Sequence, residues 1–468
     1  MEILMVSAEL GQHARVSAAA DSVSALAKAL RQQGHSVTLA LPRYPSFEGS
    51  GLLLARRLSP LVIEPGVEVT VLDGQLASGV ALVLFDAPAF AEARPIFGEP
   101  GTPEGEADGA RSALLCRAAV AFVRERKIQG RAVDVVHLHD WAAAPVAALL
   151  ARDGSPPTVL TIHSYGERTF ALDGLGLLGD VVHEARARVN GAVSPLRLGL
   201  LHAGAVTAVS PGFARELESE PPFRLLRSPI LGVLDGLDYS IWNPATDVAL
   251  ESRFDAHDPS NKGRSKTALL RTFELELEVE RPLLAVLLGS SDPEGTRVVR
   301  RALPRLLDHD LAILVAGARD PETLEELEEM KAEYRGDFAV FPSTDDAAFR
   351  RLLAGSDFVL TARRRVPSPL EELAAARYGA LPIAFASGGT LDAVVDADAA
   401  LETGTGFLYD ELGEEALLGA VRRALSAYTH PRFDALRRRV LRRDVGWDRP
   451  AHRYLQIYRQ VSGEPGVF

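Results

Sequence analysis

The sequence predicts an α/β protein made of two doubly wound, Rossmann-like domains, each a parallel sheet flanked by helices. Short, near-continuous apolar runs alternate with helical segments along the chain, the pattern of strands buried on both faces. Two such series occur, separated by a polar, weakly periodic stretch between about Asp235 and Lys266. At 468 residues the chain is also too long for one ordinary core.

The first series opens with "EILMVSA", a strand. A helix follows over Ala18–Gln33, where Val23, Leu26 and Leu30 recur at helical spacing before Gly34 ends it. "SVTLALP" is the second strand. Glu92–Gly109, rich in Gly, Pro and Glu, reads as a surface excursion. "VDVVHLH", "PTVLTIH" and "AVTAVS" are further strands, the last leading into Ser210 as N-cap and Pro211 as first-turn proline of a helix. The second series comprises "PLLAVLLGS", "LAILVAGA", "FAVFPST", "DFVLTA", "LPIAFAS" and "TGFLYDE". Between the fourth and fifth of these, Ser368 is placed to cap a helix, Glu371 to complete a capping box, and Gly379 to close it.

Composition narrows the function classes. With 63 acidic against 51 basic residues the formal charge is −12, which argues against a broad nucleic-acid or anionic-membrane surface. Cys116 is the one cysteine, so no intramolecular disulfide or thiolate metal cage is expected. The N-terminus reads as a strand rather than a leader, and no apolar run is long enough to span a bilayer. The expectation is a cytoplasmic protein.

Ligands of open parallel sheets bind beyond the carboxyl ends of the strands. This selects the loops "SAELGQHARVSAAAD", "HLHDWAAA", "TIHSYGERT", "LLGSSDPEG", "TARRRVPSP" and "FASGGTLDA". Ser387, Gly388, Gly389 and Thr390 form a strand-to-helix turn whose backbone N–H groups suit a phosphate. His137 and His139, at i and i+2 on a strand, admit a metal-dependent hydrolase as an alternative, with His163 the next placed ligand.

Together the motifs resemble bacterial glycogen synthase and plant starch synthase. "HLHDWAAAPVAALL", "TVLTIHS", "VTAVSPGFARE", "AARYGALPIAFASGGTLDAV" and "WDRPAHRYLQIY" follow the family pattern, and "VLDGLDYSIWNPATD" is the most specific match. The resemblance implies the GT-B fold, with two Rossmann-like domains facing a central cleft, and glucose transfer from ADP-glucose to the end of an α-1,4-glucan such as glycogen. It implies an acceptor-side domain over 1–240, a nucleotide-sugar domain over 241–440, and a C-terminal helix over 441–468 returning to the first. By carry-over, His163 and Asp140 stand at the catalytic centre. Glu9, Asp21 and Trp141 are acceptor-side residues, and Arg15, Arg364 and Ser387–Thr390 are nucleotide-sugar-binding. No metal or cofactor is implied.

The chain also departs from that pattern. Val366 stands where the family has the glutamate beside the donor sugar. Gly289 and Glu294 stand where it has the arginine and lysine that hold the diphosphate. Ser17 and Ala18 replace glycines of the first loop, Asp235 an asparagine, and Ser164 the asparagine after His163. Losing fixed cations removes stabilisation of the leaving diphosphate, and a carboxylate in their place adds repulsion. The expectation is therefore a weakly active protein or a non-catalytic paralogue that binds glucan or regulates a competent synthase. The alternative is an active enzyme whose Arg363, Arg364 and Arg365 rebuild the donor site, set against pairing of these arginines with Glu371 and Glu372.

Overall fold

The computed structural model describes residues 1–91, 94–96, 103–151, 155–276, 278–289, 292–341 and 345–463. The chain forms two compact units, Met1–Asp235 with Trp447–Phe468, and Gly236–Gly446. No described helix is long and apolar enough to cross a membrane.

In the first unit the strands are β1 (Glu2–Val6), β2 (Ser36–Pro42), β3 (Leu54–Arg56), β4 (Leu61–Glu64), β5 (Val67–Gln75) and β6 (Ala81–Asp86). They are followed by β7 (Val135–His139), β8 (Thr158–Ile162), the small hairpin β9 (Arg188–Val189) and β10 (Ala192–Val193), then β11 (Ala205–Ala208) and β12 (Leu231–Gly232). The main sheet runs β12-β11-β8-β7-β1-β2-β6-β5-β3. It is parallel from β12 to β6, as the apolar runs predict. Beyond β6 it departs from the expected plan: β5 pairs antiparallel with β6, β3 and β4. In β5, Val69 and Val71 are buried while their neighbours are half-buried or exposed, which suits an edge covered on one face. The strand order reverses direction between β1 and β7, so the loops after these two strands diverge and leave a crevice.

The first helix spans Ala19–Gln32, and Gly34 ends it at φ +89°. The Glu92–Gly109 excursion is shorter than expected, because a helix begins at Pro103 and runs to Ile128; residues 92–93 and 97–102 lie outside the described residues. The Asp448–Val461 helix belongs to this unit and buries Ala451, Tyr454, Leu455, Ile457 and Tyr458.

The second unit has β13 (Leu283–Leu287), β14 (Ala312–Ala316), β15 (Phe338–Phe341), β16 (Phe358–Thr361), β17 (Leu381–Phe385) and β18 (Phe407–Tyr409). All pairs in the order β15-β14-β13-β16-β17-β18 are parallel. Leu284 and Val286 of β13 join one apolar cluster and Leu283 and Ala285 another, so both sheet faces are covered. Here the order reverses between β13 and β16. The loops after those strands carry Gly289, Glu294 and Arg363–Val366. Residues 290–291 of the first loop, and 342–344 of the expected "FAVFPST" strand, lie outside the described residues.

Ser210 caps its helix as predicted, its Oγ accepting the Phe213 N–H at 3.1 Å. Ser368 does not. The helix Leu370–Arg377 begins with Pro369 at the cap position and no side-chain cap, leaving Ser368 Oγ buried without a partner. Ser368 lies one residue too early, and Glu371 is engaged by Arg363 instead.

Candidate functional site

In the first unit, the loop after β1 is organised by Glu9. Its buried carboxylate accepts the N–H groups of Val16 and Ser17 at 2.8 and 2.7 Å and the Ser17 hydroxyl at 2.8 Å. The Ser17 hydroxyl thus adds a bond to Glu9 that a glycine there would lack. Ala18 has φ −63°, so neither replacement requires a left-handed backbone. Arg15 and Asp21 form an ion pair with each other at 2.8 Å. Ser22 donates to Asp235 at 2.7 Å.

Asp140 follows β7 directly, with φ +57° in a short helix, Asp140–Ala143. That left-handed turn places its carboxyl to accept the His163 N–H at 2.8 Å. Burial, with Glu9 nearby, raises the Asp140 pKa to about 7. His139 Nδ1 and His163 Nε2 are 3.0 Å apart. Burial pushes His163 down to about 3 and His139 well below its usual range, so both rings are neutral at pH 7. His139 Nε2 has no partner.

His137 belongs to a different network. Its Nε2 lies 2.6 Å from Thr161 Oγ1, and its Nδ1 2.7 Å from Tyr458 OH. Thr161 in turn contacts Thr207 at 2.6 Å and Tyr454 at 3.4 Å. Both ring nitrogens are thereby occupied, against the metal reading of His137 and His139. Among the described residues no three His, Cys, Asp or Glu side chains are grouped to hold a metal. Trp141 is buried, stacked on Phe170 at 5.6 Å with the Arg168 guanidinium 5.1 Å from its ring. The tyrosines at i and i+4 of "RYLQIY" were the sequence signal for this His137 network, which motif reading passed over.

In the second unit the loops after β13, β16 and β17 are bound to one another. Asp292 caps the helix Pro293–Leu307 through the Gly295 N–H at 2.9 Å, and its other oxygen accepts the Arg364 N–H. Arg364, 66% exposed, pairs with Glu294 at 2.5 Å. The stem of Arg363 covers the space beside Gly289, where a Cβ would lie 3.5 Å from its Cγ and Cδ. The Arg363 guanidinium bonds Glu371, and both oxygens of buried Glu372 at 2.9 and 3.1 Å. Burial disfavours its charge, but the two carboxylates outweigh that and raise its pKa. Thr361 completes the cluster by donating to Glu372 at 2.7 Å.

Val366 is 1% exposed, and its carbonyl accepts the Gly389 N–H at 2.7 Å. The Thr390 N–H goes to Ser387 O and the Ser387 N–H to Phe385 O, both at 2.9 Å. Ser387 Oγ donates to the Arg363 carbonyl at 3.1 Å, and Thr390 Oγ1 is buried without a partner. The Ser387, Gly389 and Thr390 amides, expected to cradle a phosphate, thus have internal acceptors. Gly295, beside Glu294, is fixed by close approach: a Cβ there would sit 1.5 Å from the Ala362 carbonyl oxygen.

A family model described as the starch synthase catalytic domain matches residues 2–225. The glycogen synthase of an Anaeromyxobacter species is 32% identical, over 99% of this chain and 100% of that protein. The glycogen synthase of Ralstonia nicotianae is 33% identical, over 99% of this chain and 88% of its own. Among solved structures, the catalytic domain of Arabidopsis thaliana starch synthase IV, bound to ADP and acarbose, superposes with a TM-score of 0.86 at 24% identity, covering 99% of both chains. A sucrose-phosphate synthase from Thermosynechococcus elongatus gives 0.60 at 17% identity, over 98% of this chain and 99% of that one. These two likenesses concern the fold, which is GT-B.

Proposed function

Because this chain belongs to the family of bacterial glycogen synthases and starch synthases, we propose that it is a glucan-binding paralogue whose transfer of glucose from ADP-glucose is weak or absent. It would hold an α-1,4-glucan through the unit containing Glu9, Asp140 and His163, and act beside a competent synthase. The observation that carries this reading is the ion pair between Glu294 and Arg364, with Gly289 covered by Arg363 and Val366 buried. A leaving diphosphate gains charge as the glycosidic bond breaks, and fixed cations stabilise it. Here Arg363 and Arg364 are already paired with carboxylates of the same unit, and Glu294 puts a carboxylate where a diphosphate would need a cation. One lost preorganised contact typically costs about 10²–10³ in rate.

The test is transfer of radiolabelled glucose from ADP-glucose to glycogen beside a competent synthase, together with sedimentation on glycogen. Retained glycogen binding with incorporation at least about 10⁴-fold below the control is expected. Incorporation near the control rate would return Arg363–Arg365 to the role of replacement cations and overturn the reading.

A further inference from the structure

A cavity of about 280 Å³ lies in the second unit, away from the loops after β13, β16 and β17. Its walls include Asn243, Asp255, His257, Arg377, Leu441 and Arg442. Arg377, in the last turn of its helix, reaches into two separate chain segments. Its Nη2 donates to Asn243 Oδ1 at 2.8 Å and its Nη1 to the Leu441 carbonyl at 3.4 Å. Its guanidinium lies 4.4 Å from the Tyr239 ring centroid, and Tyr239 OH donates to Asp444 and accepts the Val445 N–H. Nε of Arg377 is buried and has no partner, a vacancy that native interiors seldom leave. Arg442 is exposed and its side chain makes no hydrogen bond or ion pair among the described residues; the His257 ring makes none either. Asp255 is the one carboxylate in the wall, and one of its oxygens already accepts the backbone N–H groups of His257 and Asp258 at 2.7 and 2.9 Å.

We propose that this cavity binds a phosphate group, held by Arg377 and Arg442 with a hydrogen bond from His257. Guanidinium donors bind tetrahedral oxyanions through paired, charge-assisted N–H bonds, and two guanidinium-bearing residues line this one concave space. Asp255, an ionised carboxylate, opposes a fully deprotonated anion but accepts a hydrogen bond from the P–OH of a hydrogen phosphate, so the site selects phosphate over sulfate. The phosphate would tie together segments 239–244 and 441–445, which Arg377 already links. The site is independent of the donor loops, so it stands or falls separately from the glucan reading.

The experiment is thermal unfolding and calorimetry of the full chain titrated with inorganic phosphate, sulfate, glycerol phosphate or chloride at constant ionic strength. The expected result is a saturable rise in Tm with phosphate, at least about tenfold weaker binding for sulfate, and at least about tenfold weaker phosphate binding in Arg442→Ala. Arg442 and His257 are exposed, so Arg442→Ala and His257→Gln test the site without disturbing the core; Arg377→Met should abolish binding. Tighter binding of glycerol phosphate would identify a phosphorylated metabolite, and tighter binding of inorganic phosphate the free ion; both sustain the site. No saturable response below about 10 mM phosphate, or an unchanged response in Arg442→Ala, would overturn it.

Discussion

Asp140 keeps its proton to about pH 7 because its carboxyl is buried behind β7, with Glu9 adding to the penalty on a second negative charge. An unfolded aspartate loses its proton near pH 3.9. Between those values the folded chain binds a proton that the unfolded chain has released, so this group's contribution to stability falls as pH rises from about 4 to about 7. Asp140→Asn should remove that slope. An amide still accepts the His163 N–H, and asparagine tolerates the left-handed backbone. In urea melts the advantage of the variant over the native chain should grow by on the order of 1–3 kcal/mol between about pH 5 and pH 8. An equal difference at both pH values would mean that the carboxyl ionises freely. "HLHDW" made the residue legible in the sequence; its proton affinity was not, because burial depends on how β7 and β8 pack. The departures at Gly289, Glu294 and Val366 were legible too, as was the pairing of Arg363 with Glu371 and Glu372. The Glu294–Arg364 pair was not, since it joins side chains seventy positions apart.

At the scale of elements, two serines with similar sequence credentials behave differently. Ser210 satisfies a helix N–H, so Ser210→Ala should cost about 1 kcal/mol in denaturant unfolding. Ser368 satisfies none, and its hydroxyl is buried without a bond. Ser368→Ala should therefore change stability by less than about 0.5 kcal/mol, or raise it slightly. A loss of 1 kcal/mol or more at Ser368 would restore it as a cap. The spacing to Glu371 satisfied the capping pattern, but the helix starts at Leu370, and Pro369 takes the cap position. Strand recognition failed for a related reason at β5. "VEVTVLDGQ" buries Val69 and Val71 but leaves the residues around them half-buried or exposed along a half-covered edge, whereas strands such as β13 and β14 announce themselves as unbroken apolar runs.

Across the whole chain, each unit has its own way of holding distant segments in place. In the first, Tyr458 of the Asp448–Val461 helix bonds His137 of β7, 321 positions away. Tyr458→Phe should cost about 1–3 kcal/mol in urea unfolding, because a buried ring nitrogen loses its partner; a loss under about 0.5 kcal/mol would mean that the bond contributes nothing. In the second, the stem of Arg363 lies against Gly289 while its guanidinium answers the buried charge of Glu372. An arginine restored at 289 would meet that stem and a like charge. Removing the arginine at 363 would leave Glu372 buried without its counter-ion. Either change alone lowers the stability of the fold before any attraction for a donor returns. Positions 289 and 363 are therefore thermodynamically coupled: the cost of changing both should differ from the sum of the two single costs, as expected for residues that share one space and one counter-ion.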